Sequence, residues 1–365
     1  MPDATDEFWE LDLRGKPDFT MAMKRIYAWY DQAIIDRTPI RFSEHNVDFS
    51  AKKTVAGKSW KTIKDKWFDA RFQVDYFIES IEGQIFNAET FPVFWPNLGP
   101  EVYTAFYGAE LEFQEVTSYS VPLIHDWEEA ANLELNHDNV YFRKIEELTQ
   151  LALEKCEGLF MVGYTDLHPG VDCAAAWRDP QQFCMDLLLE PDRAKSLIDT
   201  ACRDFQNVFD HFDDMLKAHR QLSVTWMGIP SFGKMHIPSS DFSSLTSREH
   251  YEEFFFPVTE KEIKPMTHNV FHMDGKGVAK NIDSILSLPE INAIQWVQGM
   301  GEDMPILQWI PLIRKVQDAG KSVVIDLQLD ELEEFIDNID PEGILLCISA
   351  DPGIQPDIMK RVEKW

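Results

Sequence analysis

The segment His268-Asn-Val-Phe-His272-Met-Asp274-Gly-Lys-Gly277 places an imidazole and a carboxylate two residues apart at the end of an apolar run. Residues 269–273 predict a short buried strand, and the glycines after it predict a turn that opens a helix near Val278. Alternate strand residues share a face, so Val270, His272 and Asp274 point the same way. Such a pair can ligate a metal or share a proton. It can equally be a histidine held for packing by a neighbouring carboxylate.

Two further groups bear on the choice. Asp166 and His168 have the same spacing in Thr165-Asp166-Leu167-His168-Pro169-Gly170, again after an apolar run. General acid catalysis needs a well-placed carboxyl or imidazole, and this pair offers both. Cys347 lies in Leu345-Leu346-Cys347-Ile348-Ser349, where Leu345, Cys347 and Ser349 share a face. If that face looks toward His272 and Asp274, then His272, Asp274 and Cys347 form a catalytic zinc set, three protein ligands with one position open. The alternative is a buried structural cysteine.

These residues need elements to position them. A helix is predicted over 21–35, a first strand over 38–45, a helical region over 60–82 and a second strand over 91–95. Residues 110–124 alternate as an extended excursion or hairpin. Thereafter strands over 158–164, 223–229, 269–273, 293–297, 322–327 and 344–349 alternate with helices. Strict alternation implies a parallel sheet covered by helices, and eight such units favour a (β/α)8 TIM barrel over a doubly wound sheet. No Gly-x-Gly-x-x-Gly opens a helix after a strand. We therefore expect residues 1–37 to form an acidic arm and helix, and 38–365 to form the barrel.

In such a barrel the site gathers at the C-terminal strand ends. These would bring Glu44 and His45, Trp95 and Asn97, Asp166 and His168, Trp226, His272 and Asp274, Asp326, and Cys347 to one cleft. Trp95, Trp226 and Trp296 would wall it, or simply fill the core. Residues 230–244, with two Pro after Gly228, one Gly and five Ser, read as a long loop over the cleft with His236 and Asp241 facing substrate.

The chain has 365 residues, 44% of them hydrophobic, which is ample for a sizeable core. A net charge of −29 repels nucleic acid and anionic membrane, so neither is an expected partner. No apolar run approaches the roughly 20 residues of a membrane span. An acidic N-terminus and five cysteines without a C-x-x-C pair predict a cytoplasmic protein with reduced thiols.

Several segments resemble the uroporphyrinogen decarboxylase superfamily, which includes the corrinoid- and coenzyme-M-linked methyltransferases. They are WPNLGPEVYTAFYGAELEF (95–113), GYTDLHPGVDCAAAWRDP (163–180), SSLTSREHYEEFFFPVTEKEI (243–263), VFHMDGKG (270–277) and GILLCIS (343–349). The resemblance implies a (β/α)8 barrel with its site at the strand ends. The decarboxylases carry an arginine-rich tetrapyrrole clamp, whereas TPIRFSEHNVDF has Arg41 alone. The methyltransferase branch carries a His-x-Cys followed by a Cys on the last strand, which His272, Asp274 and Cys347 match with Asp in place of the first Cys.

The expectation is thus a methyltransferase that moves a methyl group between a small methylated substrate and a thiol or a corrinoid, the latter on a partner protein. Zinc on His272, Asp274 and Cys347 would assist it, with Asp166, His168 and His272 as catalytic groups. The alternative is a metal-independent decarboxylase or lyase, with Asp166, His168 or His272 as proton donor.

Overall fold

The computed structural model describes residues 8–43 and 58–365, so Glu44 and His45 lie outside the described residues. Among the described residues ten strands occur in chain order: β1 Ile40–Phe42, β2 Val93–Phe94, β3 Leu111–Phe113, β4 Ser118–Ser120, β5 Met161–Val162, β6 Met235–His236, β7 His268–Asp274, β8 Ala293–Val297, β9 Ser322–Leu327 and β10 Ile344–Ile348. Six of them form one curled parallel sheet in the order β1-β10-β9-β8-β7-β6. The pair β2–β5 is also parallel, and β3–β4 is an antiparallel hairpin within the excursion expected at 110–124.

The described strands therefore do not join in one eight-stranded closed ladder. Hydrogen bonds link the six-stranded sheet to the β2–β5 pair instead. On one side Ile40 N donates to Glu89 Oε2 at 2.8 Å and Phe42 N to Thr90 Oγ1 at 2.8 Å. On the other, Tyr164 N donates to Val224 O at 2.9 Å and Met235 N to Ser223 Oγ at 3.0 Å.

The strand expected over 223–229 is absent, which corrects the sequence reading. Gly228 takes φ +68° and its N–H closes a turn onto Thr225 O at 2.8 Å, bending the apolar run before it can pair. Only an isolated antiparallel bridge between Ser223 and Ser231 remains. The place beside β7 is taken by β6, with Met235 opposite His268 and His236 opposite Asn269. Residues 230–244 are thus part sheet and part loop, ending in the 3-10 helix Asp241–Leu245.

Strands β7 to β10 are buried on both faces, as near-continuous apolar runs in parallel sheets are. Phe271, Ile294, Val323 and Leu346 pack into the main core against the helices. Val270, Ala293, Val324 and Leu345 pack on the opposite face with Met23, Ile26 and Trp29. Those three lie on the helix Phe19–Tyr30, which covers the N-terminal strand ends. Trp29 Nε1 donates to Gly343 O at 2.9 Å, and the Tyr30 ring stacks on His268 at 3.9 Å. No helix among the described residues is long and apolar enough to cross a membrane.

Candidate metal centre and adjoining cavity

His272 and Asp274 stand at the C-terminal end of β7, and Asp241 is brought against them at the start of its 3-10 helix. One ligand atom from each of the three lies within 4.8 Å of the others. His272 Nε2 is 4.0 Å from Asp241 Oδ1. That is too long for a hydrogen bond. Tetrahedral zinc with bonds of about 2.1 Å holds an N and an O donor about 3.4 Å apart, so the two atoms need close by only about 0.6 Å to share an ion.

Two local features deliver Asp241. Gly275, at φ +71°, turns the chain out of β7 into the helix Gly275–Ala279. Gly277 then lets that helix approach the loop, because a Cβ there would sit 2.7 Å from Ser244 Cβ. Asn281 Nδ2 donates to Ser243 Oγ at 3.1 Å and Lys280 Nζ to Ser244 O at 3.2 Å, fastening the same segment. Upstream, His272 N donates to Pro238 O at 2.9 Å, so the loop starts along β7 before it turns.

The donor chemistry fits a divalent cation. His272 Nδ1 faces Gln295 Oε1 at 2.7 Å on the neighbouring β8. A proton on Nδ1 donated to that oxygen leaves Nε2 with its lone pair toward Asp241, the tautomer a metal-ligating histidine needs. Asp241 is pushed up to about 6 by burial and by Asp172, with His272 and His168 opposing. Carboxylates that resist joint ionisation are relieved by a cation.

Beside this group lies a cavity of 310 Å³, lined by Glu101, His168, Asp172 and Asp241 and walled by apolar residues including Phe242 and Leu245. His168 Nε2 is 2.7 Å from Asp166 Oδ1. Burial disfavours the imidazolium, but the charge and hydrogen bond of Asp166, with Asp172 and Asp241 beyond, outweigh it and raise His168 to about 9. Burial raises the Glu101 carboxyl against the backbone hydrogen bond it accepts from Ser120.

The other expected site residues are dispersed. Trp226 stands perpendicular to the His272 ring at 5.4 Å, with its Nε1 buried and unpartnered. Trp95 and Asn97 line a different cavity, of 780 Å³, with Trp60, Phe72 and Phe91. Trp296 is fully buried against Trp309 in the helix layer, which makes it core rather than cleft wall. His236 is 1% exposed, its Nε2 2.6 Å from Glu262 Oε1 and its ring against Phe205, so it faces the core as well. Asp326 is exposed on β9.

Cys347, expected beside His272 and Asp274, is not in that three-residue group. It is buried on β10 in register with Asp326 of β9 and Arg41 of β1, and β9 and β8 intervene before β7. Burial raises its thiol to about 11, against the pull of Arg41. Asp241, which the sequence suggested only as a substrate contact, occupies the third place. Gln295, Asp172 and Glu101 had no assigned role. Gln295 falls within the strand predicted over 293–297, whereas nothing in the spacing of Asp172 or Glu101 tied them to β7.

No family model and no curated protein sequence matches the chain. Among solved structures it is similar to a methyltransferase from Methanosarcina mazei, with a TM-score of 0.58 and 11% identity over 90% of this chain and 92% of that one. At that identity the likeness establishes a shared fold.

Proposed function

We propose that this protein is a methyltransferase that moves a methyl group between a small methylated substrate and a corrinoid or thiol, using a divalent metal, zinc, at Asp241, His272 and Asp274. One observation carries the reading: Asp241 belongs both to the three-ligand group and to the wall of the 310 Å³ cavity. A substrate held in that cavity has its heteroatom beside the metal position. The fold shared with a methyltransferase agrees with this. So does the curled parallel six-stranded sheet, at whose C-terminal strand ends His272 and Asp274 stand.

In the reaction the heteroatom–methyl bond breaks while the acceptor–methyl bond forms in line with it, and the electron pair stays on the heteroatom. Metal bound at the three ligands would supply Lewis-acid stabilisation of that heteroatom. His168 supplies the proton that neutralises it. Its Nε2 is held by Asp166, so the proton it can release is the one on Nδ1. Phe242 and Leu245 give the cavity an apolar wall. The cavity is at the small end of ligand pockets, roughly 300–1,000 Å³, so a corrinoid is presented at its mouth by a partner protein rather than swallowed.

The His168–Asp166 pair on the same cavity also favours a second reading, a metal-independent decarboxylase in which His168 protonates the product carbanion. Methylcobalamin with a small thiol, 2-mercaptoethanol, separates the two. Zinc-loaded protein should demethylate the corrinoid, followed by its visible spectrum, and chelator-stripped protein should not until zinc is restored. Zinc-loaded protein without demethylase activity overturns the methyltransferase reading.

A further inference from the structure

Asp172 sits in the first turn of the helix Gly170–Arg178, on the far side of the loop from β7. Its two carboxylate oxygens receive three hydrogen bonds from one short stretch of that loop. Ser239 Oγ donates to Oδ2 at 2.9 Å, Asp241 N donates to Oδ2 at 3.1 Å, and Phe242 N donates to Oδ1 at 2.9 Å. The last two are backbone N–H groups at the start of the 3-10 helix Asp241–Leu245, which its own N-cap residue Ser240 does not cap by side chain. Asp172 therefore acts as a cap supplied from another helix.

We infer that Asp172 is a positioning residue for the candidate metal centre, an inference that rests on the metal reading proposed above. The three bonds fix the backbone on both sides of the Asp241 Cα and so fix where its carboxylate points. Asp241 is the one ligand of the three that does not come from β7, and its placement depends on the loop that carries it. Gly277 and Asn281 hold that loop from the β7 side, and Asp172 holds it from the other.

Cobalt(II) and zinc titrations of the whole protein test this, with cobalt read by its visible ligand-field spectrum. Asp172→Asn keeps one oxygen acceptor and puts an amide N–H₂ where the other stood, so donors meet a donor. Affinity should fall roughly 10- to 100-fold, the usual cost of losing a partner that orients a metal ligand. The cobalt spectrum should change as well, a result that a merely stabilising role would not produce. Ser239→Ala removes one of the three bonds and should weaken binding less. Folding of each variant is checked by thermal melts with chelator present. Unchanged affinity and spectrum in folded Asp172→Asn overturns the inference while leaving the metal reading intact. Should Asp172→Asn fail to fold, Ser239→Ala with parent affinity and spectrum overturns it. Wild-type protein that takes up neither metal removes the metal reading, and this inference with it.

Discussion

Asp241 Oδ1 faces His272 Nε2 at 4.0 Å, although one residue comes from the loop after β6 and the other from β7. Nothing in either segment alone produces that meeting. It follows from a helix that can come close to the loop because position 277 lacks a side chain.

Gly277→Ala should therefore act at a distance. Its Cβ would lie 2.7 Å from Ser244 Cβ and 3.1 Å from Ser244 Cα, and the second contact is backbone that cannot swing aside. The cost expected is about 1–3 kcal/mol in chemical denaturation, as for other overpacked sites. Zinc affinity should fall with it, because Asp241 moves with the displaced segment. Gly275→Ala would be destabilising for another reason, the φ of +71°, in open space. Denaturation and zinc titration of the two variants distinguish displacement from backbone strain.

His168, raised to about 9, should be charged at neutral pH and lose its proton as pH rises through that value. Catalysis that uses its Nδ1 proton then declines on the alkaline side, with a limb near 9. Asp166→Asn removes the partner that holds the imidazolium, while burial continues to disfavour charge, so the limb should move to lower pH. The pH profile of kcat in the two proteins reads this directly. An unshifted limb would mean that another group titrates there.

Much of the frame was legible because β7 to β10 are short apolar runs separated by amphipathic helices, and parallel strands buried on both faces look like that in sequence. The run at 223–229 looked the same, yet Gly228 and Pro230 turned it, and the two residues of β6 were too few to register among Pro and Ser neighbours. His272 and Asp274 were readable from their spacing on one strand. Their third partner was not, because strand-end reasoning favoured Cys347, whereas the meeting with Asp241 depends on how the loop after β6 folds back. Asp166 and His168 were read as strand neighbours. They lie just beyond β5 and still pair, since the contact needs only the i, i+2 spacing.

His268 offers a test of how the N-terminal helix is seated. Burial lowers it to about 4, with Ser231 Oγ at 2.8 Å from Nδ1 and Tyr30 stacked on the ring. The unfolded chain binds the proton more readily, near 6.5. Stability from this residue is thus full above that value and is lost as pH falls toward 4, by about 3 kcal/mol at most. His268→Phe keeps the stack and removes the titration. Urea unfolding between pH 7 and 4 should show the parent losing more stability than this variant. Parallel curves would contradict the seating described here.

The central claim is that the metal ligands are Asp241, His272 and Asp274, with Cys347 outside the site. Zinc competition against a chromophoric chelator at fixed pH, run on the parent, Asp241→Asn, His272→Ala and Cys347→Ser, tests it most directly. The account predicts strong loss of affinity in Asp241→Asn and His272→Ala, and parent affinity in Cys347→Ser. Loss in Cys347→Ser that matches His272→Ala, with Asp241→Asn unaffected, would contradict it.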